Sequence, residues 1–167
     1  MENLPLAVTT YQLSLWIHIT AAVVGLGMTF AGAVLFPVAM SQDPRHLPYV
    51  HRVQLTINRY VAGPALLLLL ITGIYQVSKG HWDFGSFWIS ATFVLVLLIG
   101  GINGGYFIQT DKRLEAMISR EVEAAGSGEF VPSEEYLRQA RIEGIIGGVV
   151  GLMIVVIIYL MVAKPGM

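Results

Sequence analysis

The sequence IIGGVVGLMIVVIIYLMVA occupies residues 145–163 and contains no charged side chain. A helix of about 17–25 such residues crosses the ~30 Å hydrocarbon core of a bilayer. Three further apolar stretches, at 13–40, 61–77 and 87–108, are as long or nearly so. None of the four shows the ~10-residue alternation that is typical of transmembrane β-strands. The sequence therefore predicts an all-α fold, a four-helix transmembrane bundle forming a single integral membrane domain over residues 1–167.

The composition supports a membrane protein and excludes several other classes. Hydrophobic residues make up 55% of the chain and charged residues 13%, with a mean hydropathy of +0.68. That charged fraction is about half of the ~25% found in soluble domains. The net charge of −1 gives no basis for binding nucleic acid. The chain has no cysteine, which excludes disulfides, thiolate metal sites, iron–sulfur clusters and covalent haem attachment.

Lysine and arginine are distributed unevenly between the two sides of the predicted membrane. Loops 41–59 and 111–142 carry eight of these cations, whereas only Lys79 and Lys164 lie on the other side. Positive charge favours the cytoplasmic face. We therefore expect both loops in the cytoplasm and both termini outside, in a membrane that is a prokaryotic plasma membrane.

The second of these loops has its own helical pattern. Apolar residues between 111 and 125 recur at helical spacing, and Gly126-Ser127-Gly128 interrupts the pattern. Ser133 then has the features of an N-cap, with Glu134 and Glu135 in the first turn. The pattern predicts that helices three and four extend into the cytoplasm as a helical hairpin. We expect this hairpin to be a solvated connector rather than a docking element.

Glycines form two small-residue patterns in the last two spans. One is Gly100-Gly101-Ile102-Asn103-Gly104-Gly105, and the other comprises Gly144, Gly147, Gly148 and Gly151. Such GxxxG spacing lets membrane helices approach closely. It predicts that spans three and four pack against each other through these glycines, with Asn103 as an interhelical hydrogen-bonding group. A homodimer could use the same surfaces, and the sequence does not separate the two.

His18 is the only histidine inside a predicted span, and polar groups at such depth are frequently functional. Ser14, Ala22 and Gly25 project from the same face of the helix. A face of small residues either docks another helix or leaves space for a flat ligand. One interpretation is that His18 is a metal ligand that binds haem b through its iron. The other is a histidine hydrogen-bonded to a neighbouring helix.

Other polar residues could complete or surround such a site. Met161 or His81 could supply a second axial ligand, unless the iron is five-coordinate. Lys79 and Lys164 could pair with haem propionates or simply extend toward the interface from helix ends.

The remaining polar residues receive purely structural interpretations. We expect His46 and His51 to be solvated, since neither has a carboxylate or cysteine at metal-ligand spacing. Arg59 and Glu143 lie at the inner ends of their spans, which predicts a structural ion pair between them.

Several short motifs together resemble a loose group of four-span membrane proteins. They are Leu15-Trp16-Ile17-His18, Arg59-Tyr60, Pro64-Ala65, Thr72-Gly73 and Ala163-Lys164-Pro165. The group contains HemJ-type protoporphyrinogen oxidases, CopD-like copper-resistance proteins and uncharacterised integral membrane relatives, which are the closer match. The resemblance to HemJ-type enzymes implies that His18 binds haem b. Those enzymes also use a third-helix lysine, where this chain has Ser90 or Thr92.

These observations lead to three functional hypotheses. The first is a small haem b protein, bound through His18, for electron transfer or haem-linked redox chemistry. The second is a cofactor-free structural or accessory subunit, within a homo-oligomer or a larger membrane complex. The third is CopD-like copper handling by His18 with Met28, Met153 or Met161. Protoporphyrinogen-oxidase-like enzyme activity stays open.

Overall fold

The computed structural model describes residues 8–166, which are 86% helical and contain no strand. Each of four long helices is apolar enough to cross a membrane, which confirms the expected fold class. The chain termini, which we expect outside the cytoplasm, include residues 1–7 and 167. These lie outside the described residues. The four helices are α1 (Thr10–Gln42), α2 (Pro44–Lys79), α3 (Phe87–Ala125) and α4 (Glu134–Ala163).

The predicted helical hairpin between α3 and α4 is confirmed. Helix α3 ends at Ala125 and is followed by Gly126, whose positive φ of 58° suits glycine. Ser133 caps α4, because its side chain accepts a hydrogen bond from the backbone N–H of Tyr136 at 3.2 Å. We call this end of the bundle the hairpin end. The opposite end, where α1 begins and α4 finishes, is called the terminal end.

Most of the predicted loop 41–59 is helical, because helix α2 begins at Pro44 and runs into the second span. Asp43 caps this start by accepting a hydrogen bond from the backbone N–H of Arg45 at 2.9 Å. The early turns of α2 are amphipathic. Their charged residues make the sequence resemble a loop, although the apolar face of the helix is buried. Leu47 and Val50 lie on that buried face.

The hairpin is therefore not a solvated connector, and that expectation is wrong. The first turns of α2 pack on the extensions of α3 and α4, and the Arg45 guanidinium donates hydrogen bonds to the carbonyls of Gly126 and Gly128. One apolar cluster joins these elements. It comprises Ala39, Leu47, Val50, Leu114, Ile118, Tyr136 and Ala140.

Two further clusters continue the core along the bundle. The largest cluster lies at the membrane-spanning centre. A smaller cluster surrounds Trp88 and Leu160 at the terminal end. Large apolar side chains also cover much of the outside, as suits contact with a lipid bilayer. The central cluster comprises Ala21, Leu26, Ala65, Leu66, Leu69, Val96, Ile99, Val150, Ile154 and Ile157.

Helices α3 and α4 pack together, but not through their glycine patterns as predicted. Side chains such as Val96 and Ile154 fill the contact instead. Small residues permit close approach without selecting the partner. Gly151 faces the ring of Phe30 on α1, at 3.2 Å from its Cβ position. A Cβ added at any of the other glycines of the two patterns would meet nothing within 4 Å; these are Gly100, Gly101, Gly104, Gly105, Gly144, Gly147 and Gly148.

Three single-turn π-helical segments interrupt the bundle, at Ala22–Leu26, Asn58–Ala62 and Asn103–Phe107. Such segments leave backbone groups without their α-helical partner. One such group is the carbonyl of Asn58, which accepts a hydrogen bond from Nδ2 of Asn103 at 3.0 Å. Asn103 therefore connects α3 to α2, and its predicted role between α3 and α4 is wrong.

Candidate functional site

His18 lies in the contact between α1 and α2, near the terminal end. Its ring is half-buried, and Nδ1 lies 2.7 Å from the hydroxyl oxygen of Thr72 on α2. The predicted site residue Ser14 belongs to the same contact, because Nε2 of Gln76 donates to its carbonyl at 3.3 Å. The contacts of His18 and Ser14 thus join α1 to α2 by hydrogen bonds near the terminal end.

The hydrogen bonds of Thr72 determine which nitrogen of His18 carries the proton. A threonine hydroxyl has one proton, and Thr72 donates it to the carbonyl of Leu68 at 2.5 Å. Its oxygen can then only accept, so the Nδ1–H of His18 is the donor. In the neutral ring this leaves a lone pair on Nε2. Histidines that ligate metals are held in the same way, with the second nitrogen donating to the protein.

The small residues on the same face of α1 as His18 pack against helix α2. A Cβ on Gly25 would lie only 2.0 Å from the Cβ of Ala65, so α1 and α2 are already in contact there. Ala22 packs at the edge of the central core. Near the histidine itself, a Cβ on Gly73 would lie 3.6 Å from Cε1 of His18. The Nε2 atom of His18 is a suitable axial ligand for haem iron. Within one chain, however, the contact between Gly25 and Ala65 leaves no space for the haem macrocycle along this face of α1.

The other predicted site residues lie at the same end of the bundle in different environments. Met161 packs into the apolar cluster around Trp88. The Lys164 ammonium lies 4.6 Å from the centre of the Trp82 ring, a cation–π contact. Lys79 and His81 are exposed. The structure thus places His18, Ser14, Ala22 and Gly25 on the side of α1 that meets α2, and within residues 8–166 it brings neither Met161 nor His81 to them.

A second polar site, missed by the sequence interpretation, occupies the hairpin end. His51 is 3% exposed rather than solvated, so that expectation is wrong, although His46 is exposed as expected. The Nε2 atom of His51 lies 2.7 Å from the hydroxyl of Tyr136, and its Nδ1 atom lies 3.5 Å from Oδ1 of Asp111. Asp111 is completely buried and accepts a hydrogen bond from Nδ2 of Asn58 at 2.9 Å.

Glu143 joins this site from α4, and its predicted ion pair with Arg59 is wrong. The Arg59 guanidinium lies over the ring of Tyr60, and among residues 8–166 no ion pair links it to Glu143. The Oε1 atom of Glu143 is buried and has no hydrogen-bond partner. Burial, and then the neighbouring Asp111 carboxylate, raise the pKa of Glu143.

A sequence signal for this second site did exist. His51 and Asn58 are seven residues apart on α2, and Tyr136 and Glu143 are seven apart on α4, so each pair shares one helical face. Each pair lies where an apolar span meets charged sequence. The sequence does not predict which helices meet at this site, because residues 51, 111 and 143 are separated by long stretches of chain.

Comparison with known proteins supports the membrane assignment. Residues 12–165 match the family described as predicted integral membrane protein (DUF2269). No curated protein and no solved structure matches the chain. The match confirms the expected relationship to uncharacterised integral membrane proteins, while the resemblance to HemJ-type and CopD-like proteins stays a prediction. Since the match covers nearly the whole chain, the protein belongs to the DUF2269 family of integral membrane proteins.

Proposed function

We propose that this integral membrane protein binds haem b through Nε2 of His18 and takes part in electron transfer or haem-linked redox chemistry. The carrying observation is the pair of hydrogen bonds at Thr72, because it leaves the Nε2 lone pair of His18 available to iron. When bound, haem b supplies an iron that accepts and returns one electron. The protein's own part is to hold the imidazole in this tautomer and orientation.

The packing of α1 and α2 limits where haem could lie. Since Gly25 contacts Ala65, a macrocycle has no space along that face of α1. Leu15 and Ile19, which neighbour His18 on the surface of helix α1, are 38% and 53% exposed. Haem would therefore approach from this side, and a second copy of the chain or another membrane subunit would cover its outer face. A site of this kind lies close to the terminal end.

A haemin titration of the haem-free protein tests the proposal. We expect a saturable Soret band for the wild type and for His46→Ala, whose histidine is exposed. His18→Ala should lose the band or shift it, because the iron loses its protein ligand. The elution volume should also change on haem binding if a second copy covers the macrocycle. Equal titrations for the wild type and His18→Ala would disprove ligation by His18.

A cofactor-free structural or accessory subunit is the second candidate, and the open glycines favour it. Seven glycines of α3 and α4 have no neighbour within 4 Å of their Cβ positions. Such surfaces allow another helix to approach closely. Chemical crosslinking in native membranes tests this function: Gly104→Leu should abolish a crosslinked dimer, whereas Gly27→Leu on α1, equally open, should not. Copper handling draws no support from the residues that contact His18.

A further inference from the structure

Three helices bring a histidine and two carboxylates together at the hairpin end. His51 comes from α2, Asp111 from α3 and Glu143 from α4. One potential ligand atom from each residue lies within 4.8 Å of the other two. Two of the three side chains are almost fully buried, with His51 3% exposed and Asp111 0% exposed. The cluster therefore lies largely inside the packed hairpin end.

Neighbouring side chains orient two of these residues as ligands. Nδ2 of Asn58 donates to Oδ2 of Asp111, which leaves Oδ1 directed toward His51. On the other side of the imidazole, Nε2 lies 2.7 Å from the hydroxyl of Tyr136. The oxygen of that hydroxyl can accept a hydrogen bond from Nε2–H, which leaves the lone pair of Nδ1 free to bind an ion. Outer partners of this type hold ligands in known metal sites.

The distance between His51 and Asp111 fits two ligands of one ion better than it fits a direct hydrogen bond. Nδ1 of His51 lies 3.5 Å from Oδ1 of Asp111, beyond the usual ~2.7–3.2 Å of an N–H···O bond. Ligands bonded at ~2.0–2.1 Å to one tetrahedral ion are about 3.3–3.5 Å apart. An ion between them would require the Glu143 carboxylate to move inward by roughly 1 Å, which a long side chain at a helix face allows.

Among residues 8–166, neither Asp111 nor Glu143 forms an ion pair with a lysine or arginine. Two carboxylates lie together in a buried site, and Oε1 of Glu143 has no hydrogen-bond partner. Among residues 8–166, the only ion pair that involves either carboxylate is the one between Asp111 and His51. Buried charges without compensation are unfavourable. A divalent cation would balance the two carboxylates while a neutral His51 completes the donor set.

We propose that His51, Asp111 and Glu143 bind a divalent first-row transition metal ion of the Zn²⁺, Mn²⁺ or Fe²⁺ type. One imidazole with two carboxylates suits these ions, whereas Ca²⁺ and Mg²⁺ prefer oxygen ligands alone and Cu⁺ prefers sulfur. The ion joins α2, α3 and α4 at one point. It therefore fixes the hairpin end relative to the membrane spans, independently of any ligand at His18.

Binding of Co²⁺ to the full chain in detergent tests this site, because Co²⁺ reports its coordination in the visible spectrum. After treatment with a chelator, the wild type should bind one Co²⁺ per chain in a saturable manner, and Zn²⁺ should displace it. Glu143→Gln preserves the shape of the side chain and should weaken binding at least about tenfold. Glu123→Gln and His46→Gln, which alter exposed residues, should bind as the wild type does.

Thermal unfolding provides a second measurement that does not depend on the spectrum. A ligand that binds only the folded state raises the melting temperature, so Zn²⁺ should raise that of the wild type and not that of Glu143→Gln. Circular dichroism establishes that each variant is folded before its binding is compared. A folded wild type without saturable Co²⁺ binding would overturn the proposal, as would unchanged binding by Glu143→Gln. Either result would mean that the three residues form only a proton-sharing network.

Discussion

His18 and His51 each have one ring nitrogen in contact with a hydroxyl group of a neighbouring helix. Each imidazole has a hydroxyl oxygen 2.7 Å from one ring nitrogen, from Thr72 in the first case and Tyr136 in the second. The remaining nitrogen of each ring is then the candidate ligand atom. The two residues differ in setting, because His18 lies between two apolar helices while His51 faces two carboxylates.

Replacing Thr72 tests the hydrogen bond to His18. Thr72→Val keeps the shape of the side chain but removes the acceptor for Nδ1–H, so we expect unfolding to become easier by about 1 kcal/mol. Thr20→Val removes an exposed hydroxyl from α1 and should have no such effect. Thermal denaturation in detergent measures the difference. Equal stability of the two variants would argue against a hydrogen bond that matters to folding.

At the residue scale, the sequence predicts that His18 lies within a span but does not predict that His51 is buried. A histidine inside an apolar stretch is conspicuous, whereas His51 is surrounded by arginine and polar residues that resemble a loop. Its carboxylate partners lie 60 and 92 positions further along the chain, at Asp111 and Glu143. Only the packing of three helices brings them together.

Among the helices, the contact between α1 and α2 depends on glycine. A Cβ on Gly25 would lie 2.0 Å from that of Ala65, so Gly25→Ala must separate the two helices. We expect a loss of about 1–3 kcal/mol in stability, the usual effect of overpacking. Gly27→Ala lies one half-turn away with open space around it and should be neutral or slightly stabilising. Melting temperatures of the two variants in detergent provide the comparison.

The turn between α3 and α4 provides a test of the hairpin. Gly126 has φ 58° and ψ −130°, a conformation that is unfavourable for a residue with a Cβ. Gly126→Ala should therefore destabilise the protein by about 1–3 kcal/mol. Gly128→Ala has ordinary space and no positive φ, and should be tolerated. Proteolysis near residue 127 would detect the loosened turn, and equal cleavage of both variants would count against a strained position.

At the element scale, the sequence predicts helix positions better than helix partners. Uninterrupted apolar runs identify all four spans, and Ser133 correctly marks the start of α4. The first turns of α2 are missed because their charged residues face outward around a buried apolar stripe. The glycine patterns predict close approach but do not determine which helix approaches, since GxxxG describes one surface only.

Considered as a whole, the molecule has two polar sites at opposite ends of an apolar bundle. Its orientation in the membrane is an expectation from the positive-inside rule. Because the chain has no cysteine, single substitutions can be labelled without background. An impermeant maleimide applied to intact cells should label Val8→Cys near the start of α1 and should not label Ser127→Cys in the hairpin. The reverse labelling would show that the hairpin end lies outside.

The most direct test of the proposed function is the visible spectrum of the purified protein, oxidised and then reduced with dithionite. Wild type should show a Soret band and, after reduction, the α and β bands of haem b, with no covalent attachment because cysteine is absent. His18→Ala should lose or shift these bands. A colourless wild type that also gains no specific spectrum with added haem would contradict the account and would make His18 a packing residue between α1 and α2.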